Sequence, residues 1–138
     1  MTRKLDDWHG CPIRYAAAMI GDRWKLVILR DLALKEARRY GDFAVEEGVA
    51  TNILASRLLE LESGGLIDRT IDPENGRPIY RLTEKGRDLV PALLALIAWS
   101  YKWDPKTEVP KSFARDLRRA PDKLARRIMS GLVEGTSA

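Results

Sequence analysis

The stretch VATNILASRLLELESGGLIDR, residues 49–69, decides how this chain reads. Leu54, Leu58 and Leu61 recur at helical spacing, so they share one helix face and should point at a core. Thr51, Asn52, Ala55, Ser56 and Glu60 fall mostly on the other side. The helix begins at Ala50 or Thr51; a threonine hydroxyl can cap it, whereas alanine has no side-chain acceptor. Gly64-Gly65 stops it, and Leu66–Ile71 and Ile79–Leu82 read as short strands. Between them, DPENGRP (residues 72–78) holds Asn75-Gly76, a strong tight-turn signal. Pro78 limits pairing at the start of the second strand. An amphipathic helix braced by a β-hairpin is what a winged helix-turn-helix requires. One helix face packs inward, the other faces a major groove, and the hairpin reaches the neighbouring backbone or minor groove.

The flanks extend this pattern. Pro12 suits a first helical position, with Cys11 before it; Ile13, Ala17 and Ile20 then share a face, and Gly21 ends the helix. Asp22 can cap a second helix striped by Trp24, Val27, Ile28 and Leu32. A short third helix is expected from about Gly41 to Glu47, with Phe43 inward. Thr83 is expected to cap a long helix reaching about Trp103, bent where Pro91 removes a backbone hydrogen bond. Leu89, Leu93, Leu96, Ile97 and Ser100 line one side of it, and Val90, Leu94 and Trp99 add apolar surface elsewhere. That is more apolar surface than one small core covers, which points to a partner subunit. A last helix is expected from Pro121, with Leu124, Ile128 and Leu132 on one face. The fold class is therefore mainly α with a small β-hairpin, a winged helix-turn-helix.

Composition sets outer bounds. The 138 residues suit one domain with a tail: an arm at 1–10, the winged-helix body with its dimerisation helices at 11–104, and a basic helical extension at 105–138. The N-terminus has no apolar signal core, so the expected location is cytoplasmic. No apolar run is long enough for a membrane span. One cysteine excludes an internal disulfide, and one histidine with one cysteine makes a structural zinc site implausible, so no metal or cofactor is expected. There is no Gly-rich phosphate loop and no His-based triad, so the chain does not read as an enzyme. The net charge of +4 is unevenly placed: residues 1–104 carry 16 basic and 16 acidic residues, while 105–138 carry 8 and 4. Bulk charge does not argue that the central body binds DNA; local clustering must.

The runs CPIRYAAAMIGDRWKLVILRDL, RRYGDF, GVATNILASRLLELESGGLIDR and RPIYRLTEKGRDLVPAL, in that order over residues 11–103, resemble the HxlR-type winged-helix regulators of bacteria, relatives of the MarR group. The resemblance implies a homodimeric regulator of transcription, read as a repressor, on an inverted repeat of double-stranded DNA. It implies dimer contacts through the first helix and the long helix after the wing, assigned to Ile13, Leu93, Ile97 and Trp99. The recognition helix would be Thr51–Ser63 and the wing Asp72–Pro78. It also implies a cysteine near the first helix that senses electrophiles, a role that falls on Cys11, with a small electrophile or other small molecule as effector. The chain departs from the family pattern at Ala50, often serine there, in its acidic Glu46-Glu47 and in its basic extension.

Each candidate has a plainer reading. Asn52 can bond adenine twice and Ser56 can reach base or phosphate, but polar helix faces are usually just solvated. Arg57 either holds a phosphate or braces the helix against an acid such as Asp42 or Glu60. Arg77 is the wing's candidate contact, or an edge-strand guard. Lys25, Arg38 and Arg39 are phosphate candidates, or solvated charges. Thr51 completes the DNA-facing set. Cys11 is either a thiolate at a helix mouth or a small apolar cap on the core. Lys123, Arg126 and Arg127 form a basic face in the tail, suited to packing on the dimer or, less well, to a membrane. The competing function is a winged-helix protein-interaction module that does not bind DNA.

Overall fold

The computed structural model describes residues 9–137. The chain divides into two compact units, residues 1–83 and 84–138. Of the sequence-defined arm at 1–10, only His9 and Gly10 fall among the described residues.

In the first unit, α1 spans Pro12–Ile20 and α2 spans Arg23–Leu34. α3 covers Thr51–Ser63, and strands β1 (Ile67–Ile71) and β2 (Pro78–Leu82) form an antiparallel hairpin. Ile67 faces Leu82 across the ladder, and Pro78 pairs opposite Ile71 at its open end. The core is built as the leucine spacing predicts. Leu54, Leu58 and Leu61 of α3 are buried with Ile28, Leu29 and Leu32 of α2 and with Ile67, Tyr80 and Leu82 of the hairpin. Each such side chain contributes about 1.5–3 kcal/mol of apolar burial. Trp24 and Val27 of the predicted α2 stripe are only half-buried.

The expected third helix does not form. Only Tyr40–Asp42 makes a 3₁₀ turn, and the chain continues as turns to Gly48. The reason is Asp31, which is 2% exposed in α2. Its Oδ2 accepts a 2.8 Å bond from the Ala44 N–H, and its Oδ1 accepts 2.9 and 2.6 Å bonds from Arg30. Ala44 sits at φ 49°, a left-handed conformation no helix continues through. The segment is thus tied to α2 by a side chain instead of by its own helical ladder. Phe43 still points inward, its ring edge-on to Tyr80 at 5.8 Å between centroids. Glu47, one of the two acids by which the chain departs from the family pattern, meets Arg30 at 2.8 and 3.2 Å. That pairing is the main cause holding the Glu47 carboxyl below its ordinary range and the Arg30 guanidinium above its own.

α3 begins at Thr51, one of the two starts that the sequence allows, but the threonine hydroxyl is not its cap. Ala50 is the capping residue and supplies no side-chain bond, and Thr51 is the first helical residue.

In the second unit, the long helix expected from Thr83 is broken instead of bent. α4 is the single turn Glu84–Arg87, and α5 runs Val90–Trp103. Pro91 occupies the first turn of α5, where its missing N–H has no ladder partner to lose. The Thr83 hydroxyl donates 2.6 Å to the Gly65 carbonyl. Two helices follow: α6, Lys111–Arg119, which sequence reading missed, and α7, Pro121–Ser137. Val90, Leu93 and Leu94 of α5 are buried, as are Leu117 of α6 and Leu124 and Ala125 of α7. α6 and α7 each pack on α5 and on one another.

Candidate nucleic-acid interface

The outward face of α3 carries Thr51, Asn52, Ala55, Ser56 and Leu59, all exposed. These positions follow from the i, i+4 spacing that turns Leu54, Leu58 and Leu61 inward. Leu59, 64% exposed among polar neighbours, is the residue that sequence reading missed. Its signal was its spacing, four residues after Ala55 and three after Ser56. Together they present amide, hydroxyl and methyl groups, the set that reads adenine edges and thymine methyls in a major groove. The hydroxyl of Tyr40 donates 2.7 Å to the Thr51 carbonyl and fixes the start of this helix.

The cations predicted beside this face divide sharply. Arg57 is braced, but by Asp22 and not by Asp42: its Nε donates 3.0 Å to Asp22 Oδ2 and lies 3.8 Å from Glu60. Its Nη1 donates 3.3 Å to the Ser56 hydroxyl. Asp22 does two jobs at once, because its Oδ1 caps α2 through the N–H groups of Trp24 and Lys25 at 2.8 and 3.1 Å. Partial burial opposes its charge, but the bonds from Lys25 N–H, Arg57 and Trp24 N–H outweigh burial and hold the carboxyl below its usual range. Lys25 meets Glu60 at 3.5 Å and donates to the Ala18 carbonyl at 3.5 Å. Arg39 clamps the hairpin, its Nη2 donating 2.6 Å to Asp72 Oδ2. Asp72 Oδ1 accepts the Glu74 N–H at 2.9 Å, the largest of the bonds that keep its carboxyl ionised to low pH. The tip is closed further by Gly76 N–H to Asp72 O at 2.8 Å and Arg77 N–H to Asn75 Oδ1 at 2.9 Å, with Gly76 at φ 71°. Arg77 itself is exposed, and its guanidinium makes no ion pair among the described residues. Arg39, Tyr40, Gly41, Asn75, Arg77 and Pro78 line a cleft of about 290 Å³ between the hairpin tip and the 3₁₀ turn.

Cys11 is the N-cap of α1, partly exposed, with the Arg14 N–H 3.5 Å from its Sγ. That bond is the main reason its thiol is more acidic than an ordinary cysteine; slight desolvation opposes it, and the Ile13 N–H and the Arg14 charge assist. The predicted dimer residues also separate. Ile13 is 77% exposed and Trp99 66% exposed, Ile97 is half-buried, and Leu93, at 7%, is already buried within the chain. Among the described residues, no group of acids, histidines and cysteines is placed to hold a metal, and no helix is long and apolar enough to cross a membrane.

The sequence profile described as HxlR-like helix-turn-helix matches residues 19–108. An HTH-type transcriptional regulator of Mycobacterium tuberculosis is 41% identical over 106 residues, which are 75% of this chain and 65% of that protein. The chain thus aligns with just under two thirds of that relative's length. Among solved structures, PA1607, a candidate transcription factor, is 35% identical with a TM-score of 0.67, over 73% of this chain and 72% of that one. The redox regulator HypR in its oxidised form is 25% identical with a TM-score of 0.61, over 72% of this chain and 100% of that one.

Proposed function

Because the chain belongs to the HxlR-like helix-turn-helix family, we propose that it is a sequence-specific regulator of transcription that binds duplex DNA as a homodimer. The observation that carries this reading is the outer face of α3, where Asn52, Ser56, Ala55 and Leu59 are exposed together beside a hairpin tip bearing Arg77, whose guanidinium makes no ion pair among the described residues. α3 is the recognition helix in this reading, and residues 72–78 are the wing. Asn52 and Ser56 read base edges, Ala55 and Leu59 meet thymine methyls, and Arg77 holds phosphate. Arg57, Lys25 and Arg39 are then chiefly positioning residues. Arg39 has a further DNA role in this reading, because its Nη1 is buried with no partner among the described residues and a phosphate oxygen in the adjoining cleft would satisfy it.

A dimer is supported by surface that the protomer leaves uncovered. No residue of α1 is fully buried, and α5 exposes Leu96, Trp99 and Trp103. Two recognition helices related by a two-fold axis call for half-sites roughly 10 bp apart on an inverted repeat.

Selection from random duplex DNA is expected to return such a repeat. Against it, Asn52→Ala should cost about 1–3 kcal/mol at one base pair and relax specificity there. Arg77→Ala should weaken all duplexes alike and reduce the salt slope by about one per half-site. Failure to enrich any duplex would favour the competing protein-interaction module.

The similarity to a redox regulator and the acidified thiol of Cys11 together support electrophile sensing at the mouth of α1. The rate of reaction with N-ethylmaleimide should reach half its maximum at a pH below that of a free cysteine, since the thiolate is the nucleophile and its proton is lost earlier. DNA affinity should drop on modification, and Cys11→Ser should be indifferent to the reagent. Unchanged DNA binding by fully modified protein would rule out the switch.

A further inference from the structure

The residues beyond the family match hold most of the chain's net positive charge, and the structure gives that charge a shape. On α6, Lys111, Arg115, Arg118 and Arg119 are all exposed and fall within one arc of the helix, with Leu117 buried opposite. On α7, Lys123, Arg126 and Arg127 form a second exposed arc, opposite Leu124 and Ala125. Only Ala120 separates the two helices. Asp116 draws the arcs together, with Arg127 Nη2 at 3.2 Å from one oxygen and Arg115 Nε at 3.9 Å from the other. Arg118, Arg119 and Lys123 make no ion pair among the described residues. The winged-helix body contrasts with this: residues 1–104 are charge-neutral, and Lys25, Arg39 and Arg57 are each paired to a carboxylate.

We propose that the α6–α7 hairpin is a second, sequence-independent DNA-binding surface that grips the phosphodiester backbone. The proposal rests on the DNA-binding reading above and names where much of its electrostatic affinity arises. Neighbouring cations one helical turn apart on each helix match a polyanion of dense, regular charge, which needs no apolar anchor. A membrane fits less well, because Leu117, Leu124 and Ala125 are buried and Phe113, Ile128, Met129 and Leu132 are half-buried, which leaves little apolar surface on these helices to insert. A protein partner fits less well too. Val133 is the one large apolar side chain of α6 and α7 that is strongly exposed among the described residues, whereas protein interfaces are anchored by buried aromatic and apolar groups.

The test compares three full-length proteins: wild type, Arg118→Gln/Arg119→Gln/Lys123→Gln, and the charge-preserving Arg118→Lys/Arg119→Lys/Lys123→Arg. Each is titrated against a selected duplex and an unrelated duplex at several salt concentrations. The glutamine variant should lose roughly tenfold or more in affinity for both duplexes alike. Its log–log salt slope should flatten by about 0.9 for each lost phosphate contact, two to three per protomer, with the specificity ratio unchanged. The charge-preserving variant should behave as wild type. A glutamine variant with wild-type affinity and slope overturns the proposal, as does a charge-preserving variant that loses binding equally. If wild type binds neither duplex, the DNA-binding reading itself fails. Anionic phosphatidylserine vesicles form the parallel arm: charge-dependent vesicle binding with an unchanged DNA slope would assign the surface to a membrane instead.

Discussion

Replacing Asp31 by alanine is expected to destabilise the unit holding residues 9–83 by about 3 kcal/mol, lowering its melting temperature by roughly 12–24 °C. The carboxylate is 2% exposed and accepts three bonds, two from Arg30 and one from the Ala44 N–H. Truncation leaves that N–H in the interior without an acceptor, and Arg30 keeps only Glu47. The consequence should extend beyond stability. The turns through residues 43–48 depend on this anchor for their left-handed step at Ala44. Thermal and urea melts followed by circular dichroism would measure the loss. A change under 1 kcal/mol would mean that water replaces the carboxylate, and the account of Asp31 as an organising centre would be wrong.

Placing aspartate at Trp99 should abolish dimerisation while leaving the protomer folded. Trp99 is 66% exposed on α5, so its replacement disturbs little packing within the chain. In the proposed dimer it would bury an unpaired charge. A monomer engages one half-site at a time and loses the effective concentration that links the two. Operator affinity should therefore fall by roughly 100-fold or more, while the monomer still melts cooperatively. Leu93→Asp makes the contrast, since Leu93 is buried within the protomer and a charge there should unfold the second unit. Sedimentation and DNA titration read both. A Trp99→Asp protein that stays dimeric would move the interface away from this face of α5.

The parts of the fold visible in sequence are those set by local periodicity. Leu54, Leu58 and Leu61 define the α3 face, and Asn75-Gly76 marks the hairpin, because the controlling residues are neighbours. What escaped was governed by partners far along the chain. Asp22 finds Arg57, and Arg39 finds Asp72, across more than thirty residues. No local pattern announces such pairs, so the sequence leaves a bracing cation and a phosphate ligand indistinguishable at Arg39 and Arg57. The third helix misled for the same reason: Asp31, thirteen residues upstream, takes the Ala44 N–H. α6 escaped because KSFARDLRR offers only Phe113 and Leu117 as strong apolar markers, too few to show a stripe against so much charge. Pro91 reads locally as a disturbance within a helix, whereas its lack of an N–H suits the first turn of a new one.

The hairpin tip has a thermodynamic consequence. Asp72 and Asn75 bind three of the loop's N–H groups with their side chains or carbonyl, and Arg39 holds Asp72 from outside the hairpin. A tip left loose would have to be ordered at the moment of encounter, at about 1–2 kcal/mol of conformational entropy per residue. Here that ordering is completed when the chain folds. In the proposed DNA contact, two shapes already set would meet, and the tip would subtract little from any affinity Arg77 provides.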